Sequence, residues 1–229
     1  MKKQLTSFLQ ELIDNGYRQM GEVVFSPGLP EQKFAYRLCH YRDAGSHAAR
    51  ITQSFYQPED ALTIALYDER GDFRPLKTAP TLKRGWAMEL KDIKELQQAL
   101  DFFYPALLGV FFADQKNQLK TNNLRETVNR QSGMYRIVSQ ISNAEADQLA
   151  ASICCSKSQC LRTVLWSIDD ACRPAQLPSE KLNPQYNQSQ AEYRAIPLLC
   201  FEVCNLFIAR SRQWMRQKQE TKQEAPQLV

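Results

Sequence analysis

Histidine, glycine and long apolar runs are all scarce in this chain of 229 residues, and each scarcity excludes a class of function. Two histidines, His40 and His47, cannot supply a conventional chelatase site or a metal triad without other ligands. The glycines form no phosphate-binding loop, because Gly109 and Gly133 each stand alone. No segment approaches the roughly 18 apolar residues of a membrane span, and the longest candidate, residues 106–113, is far too short.

Charge of either sign is not concentrated anywhere. The formal net charge is +4, and the 29 basic and 25 acidic residues are intermixed along the chain, so nothing indicates nucleic-acid binding. The N-terminus begins with two lysines like a signal peptide, but the apolar residues between Leu5 and Ile13 recur at helical spacing. We therefore predict an amphipathic helix there, and a cytosolic protein without membrane association.

The first half of the chain has the pattern of an α+β domain. Short strands are predicted at residues 22–26, 34–39 and 86–90, and a helix at residues 92–104. In residues 61–77 the alternation of Leu62, Ile64 and Leu66, followed by a turn at residues 69–72, predicts a hairpin. The polar segment 114–123 is the best linker candidate, so this domain is predicted to span residues 1–118.

The second half is predicted to be mostly helical, over residues 119–218. Ser142 and Glu145 form a capping-box pattern that begins one helix, and a final helix is predicted from about Phe201 to Gln217. Residues 219–229 lack core side chains and are predicted to be a disordered tail.

Cysteines are concentrated in this second half. The chain has seven, and in a reducing cytosol clustered thiols indicate metal binding or catalysis more than disulfides. Cys155 and Cys160 are separated by four residues, and Cys200 and Cys204 by three, with 39 residues between the two pairs. On a helical backbone Cys200 and Cys204 would share one face, so folding can bring four thiolates together.

Four thiolates suit either zinc or an iron–sulfur cluster. Structural zinc sites commonly use tighter cysteine spacing, so the loose pairs favour the cluster, although buried cysteines without any metal remain the alternative. Adjacent helical residues point about 100° apart, so only one of Cys154 and Cys155 is expected to be a ligand; we prefer Cys155 and keep Cys154 as its alternative. Cys39 and Cys172 are interpreted as structural or incidental.

Several segments resemble the accessory region attached to some sirohydrochlorin cobaltochelatase-like proteins. The resemblance covers most of the chain. Its segments are GDFRPLKTAPTLKRGWAMEL, ALDFFYPALLG, LRETVNRQSGMYRI, CLRTVLW and CFEVCNLFIARSR. It implies an α+β accessory, or stabilising, domain followed by a [4Fe-4S] domain, with ligands that here would be Cys155 (or Cys154), Cys160, Cys200 and Cys204.

The chain also departs from the pattern of this family in one respect. The family carries chelatase domains before this region, whereas the present chain begins directly with the accessory part, and no catalytic residues of a chelatase are identifiable in it. We therefore expect a non-enzymatic iron–sulfur protein more than a stand-alone chelatase, with a chelatase or a redox protein as candidate partner.

The leading hypothesis is a protein that holds one [4Fe-4S] cluster for electron transfer, redox sensing or docking. A link to cobalamin or sirohaem metabolism is implied only by the resemblance. The apolar residues expected to shield the cluster are Leu161, Val164, Leu165, Trp166, Leu198, Leu199 and Phe201. The competing hypothesis is a structural zinc module that serves protein interaction without redox chemistry.

Overall fold

The structure, a computed structural model, describes residues 2–45, 51–130, 133–154, 160–171 and 194–224. The chain divides into two compact units. The first extends to Leu119 and also includes residues 160–162 and 194–199; the second contains the described residues from Lys120 onward that remain. The fold is α+β, as predicted, with a mixed sheet in the first unit and mainly helices in the second.

The first unit is organised by a six-stranded sheet in the order β4-β5-β3-β2-β1-β7. Its strands are β1 (Tyr17–Met20), β2 (Val23–Pro27), β3 (Tyr36–His40), β4 (Gln53–Phe55), β5 (Trp86–Leu90) and β7 (Arg194–Ile196). The four inner strands are antiparallel neighbours, and Val24 pairs with Cys39. Both edge strands are parallel additions, β4 to β5 and β7 to β1. The strands predicted around residues 22–26, 34–39 and 86–90 are confirmed.

Helices α1 (Lys2–Asp14), α3 (Ile93–Phe103) and α4 (Leu107–Gln115) contribute the rest of this core. In α1, Phe8, Leu9 and Leu12 are buried at the spacing of one helical face, as predicted. Asp92 caps the N-terminal end of α3. Its carboxylate accepts hydrogen bonds from the backbone N–H groups of Lys94, at 2.8 Å, and Glu95, at 2.9 Å. These helices bring aromatic rings into the core, where Trp86 stacks on Phe103 at 5.2 Å between centroids.

The hairpin predicted for residues 61–77 is wrong in its first arm. Residues Asp60–Leu66 form helix α2, and the buried side chains are Ala61, Ile64 and Ala65, whereas Leu62 is 39 % exposed. Small alanines complete a helical face here, and the alternation of larger residues is incidental. The predicted turn exists, because Tyr67 pairs with Phe73 in an isolated antiparallel bridge.

In the second unit three helices and a 3-10 segment enclose a separate core. They are α5 (Leu124–Arg130), the 3-10 segment Gly133–Gln140, α6 (Asn143–Ile153) and α7 (Asn205–Glu224). The predicted capping box is confirmed: the Ser142 hydroxyl accepts from the Glu145 N–H, and the Glu145 carboxylate accepts from the Ser142 N–H at 2.9 Å. Short strands β6 (Thr163–Val164) and β8 (Leu199–Cys200) pair with each other.

The last helix differs from its predicted bounds. α7 begins at Asn205 and not near Phe201, and it continues beyond Gln217 to Glu224. Residues 219–224 are therefore helical, whereas a disordered tail was predicted for residues 219–229; residues 225–229 lie outside the described part. Phe207, Ile208, Ser211 and Met215 are buried along one face, so core packing in the second unit sustains the helix.

Within the described ranges, no single helix is long and apolar enough to span a membrane. Helices α3 and α4 satisfy the criterion only as a pair, and the chain bends by 106° between them.

Candidate metal centre

Among the described residues, three cysteines belong to the core of the second unit or pack against it. We call this set of side chains the apolar cluster. Its buried members are Leu124, Val128, Val138, Ile141, Ala146, Leu149, Ala150, Ile153, Cys154, Trp166, Ile168, Cys200, Val203, Phe207, Ile208 and Met215. Cys204 and Val164 are half-buried and pack against it. Cys154, Cys200 and Cys204, from three separate segments of the chain, thus all contribute to one apolar core.

Each of these three thiols has a distinct backbone setting. Cys154 caps the C-terminal end of α6 and is 7 % exposed. Cys200 ends β8, and its Sγ donates to the Glu202 carbonyl oxygen at 3.3 Å. Cys204 directly precedes α7, and its carbonyl accepts the Ile208 N–H at 3.2 Å. The expectation that Cys200 and Cys204 share a helical face is therefore wrong, because the helix begins only after Cys204.

Cys204 lies at the N-terminal end of α7. The first turn of a helix presents unpaired N–H groups and the positive end of the helix dipole. Cys154 has the opposite setting, since the C-terminal end of a helix carries the negative end of the dipole.

Cys160 belongs to a segment that is grouped with the first unit. Its Sγ accepts the backbone N–H of Arg162 at 3.5 Å and lies 3.6 Å from the hydroxyl oxygen of Thr78. The neighbouring Leu161 N–H donates to the Thr78 carbonyl oxygen at 2.7 Å. The Arg162 N–H and the Thr78 hydroxyl therefore both lie within hydrogen-bond distance of the Cys160 sulfur, and either atom of the Thr78–Cys160 contact can be the donor.

The remaining predicted ligand and two other cysteines have different outcomes. Cys155 and Cys172 lie outside the described residues, as does His47. Cys39 lies in β3 against the Val24 position of β2, and burial raises the pKa of its thiol to about 11. At neutral pH Cys39 is thus a protonated thiol, which neither attacks an electrophile nor ligates a metal readily.

These residues fit the donor chemistry of an iron–sulfur cluster. Cys154, Cys160, Cys200 and Cys204 form no disulfide in the structure. In addition, Nε of Arg162 is buried and has no hydrogen-bond partner among the described atoms, so this cation has an unused donor close in sequence to Cys160. A nearby anionic centre would offset the free-energy cost of burying this unpaired N–H group. Within the described part of the chain, no three His, Cys, Asp or Glu side chains are already arranged to hold a metal ion.

A buried polar network in the first unit was not predicted from the sequence. Glu22 is 3 % exposed, and its carboxylate accepts from the N–H groups of Thr81 at 2.9 Å and Leu82 at 2.8 Å. Arg74 Nη2 lies 3.7 Å from Glu22 Oε2, and His40 Nε2 lies 3.6 Å from Oε1. Burial by itself would raise the pKa of Glu22, but His40, the Leu82 N–H and Arg74 outweigh it and hold the pKa below its usual value.

The network organises the loop that contains Thr78. Arg74 donates to the carbonyl oxygens of Lys77, at 3.0 Å, and Ala79. Arg74 and Glu22 thus satisfy the backbone of this loop on both sides of Thr78. No periodicity marks these positions, although Arg74 and Thr78 both lie in the first segment that carries the family resemblance.

Comparisons with known proteins agree with this division of the chain. Residues 6–115 match the family described as the DR2241 stabilising domain, and residues 116–213 match the family described as a 4Fe-4S iron-sulfur cluster binding domain. The chain is also similar to the crystal structure of DR2241 from Deinococcus radiodurans, with 25 % sequence identity and a TM-score of 0.71. That protein is described as a multi-domain protein with structural similarity to chelatases and two additional novel domains.

The similarity covers 94 % of this chain but only 42 % of the Deinococcus protein, so the chain spans less than half the length of that relative. No curated protein matches the chain.

Proposed function

Because the chain joins a DR2241 stabilising domain to a 4Fe-4S iron-sulfur cluster binding domain, we propose that it holds one [4Fe-4S] cluster through four cysteines and serves a chelatase-type partner. The proposed ligands are Cys155, Cys160, Cys200 and Cys204. The observation that carries the proposal is the location of Cys200 and Cys204 at the apolar cluster, inside the segment that matches the cluster-binding family.

The role of each cysteine follows from its surroundings. Cys204 lies at the N-terminal end of α7, whose unpaired N–H groups suit a metal-bound sulfur, and the Cys160 sulfur accepts the Arg162 N–H at 3.5 Å. Cys154 is 7 % exposed in the apolar cluster, which supports its assignment to the core, and we propose the adjacent Cys155 as the ligand. A bound cluster would supply one-electron redox chemistry.

The apolar cluster would exclude water from the site. Trp166 is 1 % exposed and meets Phe207 edge-to-face at 5.2 Å between ring centroids. Together with Val164 they form apolar surroundings next to the thiols. Burial of this kind, with hydrogen bonds to the sulfurs, sets the reduction potential of an iron–sulfur centre.

Electron transfer to, or redox sensing for, a chelatase-type partner is the proposed biological role. The similarity to a chelatase-like protein supports a chelatase-type partner, and hence a link to cobalamin or sirohaem metabolism. We place the protein in the cytosol on the sequence argument alone, because clustered cysteines that ligate a metal are typical of a reducing compartment.

Anaerobic purification tests the cofactor. We expect a brown protein with broad absorption near 400 nm and about four iron and four sulfide per chain. Cys200→Ser should lose most of the iron, whereas Cys39→Ser, a matched substitution in β3, should retain it. A colourless protein with one zinc would instead establish the structural zinc module.

A second pair of variants tests the ligand assignment. Cys155→Ser should lose the cluster, while Cys154→Ser should keep about four iron with a modest loss of stability from the altered core. The reverse result would make Cys154 the ligand.

A further inference from the structure

Thr78 makes two contacts with the segment that contains Cys160. Its hydroxyl oxygen lies 3.6 Å from Cys160 Sγ, and its backbone carbonyl accepts the Leu161 N–H at 2.7 Å. Thr78 is 5 % exposed, so water competes little for its hydroxyl. When Cys160 is a thiolate its sulfur has no proton, and the hydroxyl of Thr78 must then be the donor.

The loop around Thr78 is held by charged groups and not by an extended strand. Arg74 binds the carbonyl oxygens on either side of Thr78, those of Lys77 and Ala79. Glu22 binds the N–H of Thr81, whose φ of 78° is uncommon for a β-branched residue. A strained backbone conformation persists where its surroundings enforce it, and here Glu22 and Arg74 supply that enforcement. The Thr78 hydroxyl is therefore positioned before any cofactor binds.

We propose that Thr78 is a positioning residue for the metal centre, which donates an O–H···S hydrogen bond to the Cys160 ligand and favours the reduced cluster. The inference rests on the proposed function and adds a residue of the stabilising domain to it. Reduction by one electron makes the cysteine sulfurs more negative, so a donor at Cys160 binds the reduced state more strongly than the oxidised state. The Arg162 N–H acts at the same sulfur in the same direction.

The experiment is a redox titration of the anaerobically purified protein with dithionite and mediators, followed by EPR of the reduced cluster. Thr78→Val keeps the side-chain shape and removes the donor, whereas Thr78→Ser retains a hydroxyl. Thr63→Val, an exposed position on α2, is the matched control. We expect Thr78→Val to have a more negative midpoint potential, with the equilibrium constant for reduction lowered about fivefold. Thr78→Ser and Thr63→Val should titrate like the wild type.

The experiment still tests the proposal if Thr78→Val loses the iron–sulfur cluster. If Thr78→Val binds no cluster but Thr78→Ser retains both iron and potential, the hydroxyl is required and the proposal is supported. If Thr78→Val and Thr78→Ser behave alike, whether both titrate normally or both lose iron, the hydroxyl has no specific role and the proposal is overturned. Iron and sulfide analysis of the wild type separates this result from failure of the proposed function, because a wild type without a cluster overturns both.

Discussion

Replacement of Glu22 by glutamine should destabilise the first unit strongly. The carboxylate accepts two backbone hydrogen bonds, at 2.9 and 2.8 Å, and lies within 3.7 Å of the buried guanidinium of Arg74. A glutamine side chain supplies one acceptor and places an NH₂ group where the second is needed. It also leaves Arg74, which is 4 % exposed, without its anion.

The expected cost is about 3 kcal/mol, because removal of one partner of a buried ion pair leaves an uncompensated charge in the interior. Glu69→Gln is the matched control in the same unit. Glu69 pairs with Arg84 at 3.4 Å, but both side chains are about one third exposed, so the loss should stay below about 1 kcal/mol.

Hydrogen exchange resolved to the amides of β2 and β3 is the appropriate assay. It reports the opening free energy of the first unit even if the whole chain does not unfold in one step. If Glu22→Gln lowers protection no more than Glu69→Gln, the buried network does not hold this unit together. The argument that Thr78 is positioned in advance would then lose its basis.

Three further predictions concern individual contacts. The free energy of unfolding of the first unit should fall as the pH drops below about 4.5. The pKa of Glu22 is lower in the folded protein than in the unfolded chain, so the ionised carboxylate stabilises the fold fully above the unfolded pKa, and this stabilisation is lost as the pH falls through the folded pKa. In Glu22→Gln the loss of stability with falling pH should be smaller. Gly21→Ala should cost about 3 kcal/mol in urea unfolding, since a Cβ would lie 2.2 Å from the Tyr104 ring, whereas Gly16→Ala, with open space at a similar positive φ, should cost about 1 kcal/mol; equal losses would contradict the clash. Ser142→Ala should lower the stability of the second unit by about 1 kcal/mol in thermal unfolding, and an unchanged midpoint would show that the capping box contributes nothing.

Local sequence patterns predicted a helix or strand correctly where the periodicity of its own side chains determines its structure. The strands β2, β3 and β5 and the helices α1 and α3 follow from apolar periodicity, and the start of α6 follows from its capping box. The pattern was misleading for α2, where alanines complete the buried face. It contained no sign of β7, because an edge strand of three residues with two exposed side chains has almost no periodicity.

The candidate site shows the same limit. Cysteine spacing predicted four candidate ligands, and the resemblance favoured an iron–sulfur cluster over zinc, which agrees with the family that residues 116–213 match. Spacing could not predict that Cys200 ends a strand while Cys204 precedes a helix, because the boundary of α7 depends on packing in the apolar cluster. Nor could it distinguish the settings of Cys154 and Cys204 at opposite ends of two helices.

By itself, the sequence determined the α+β character of this protein, since composition and local periodicity encode fold class directly, and it predicted a two-part organisation and a set of candidate cysteine ligands. Only the tertiary structure decided which polar groups meet at a cysteine. Thr78 lies 82 positions from Cys160, and Glu22 lies 59 positions from Thr81. Contacts over such separations arise from the closure of the sheet and its loops around a shared core, so no local pattern contains them.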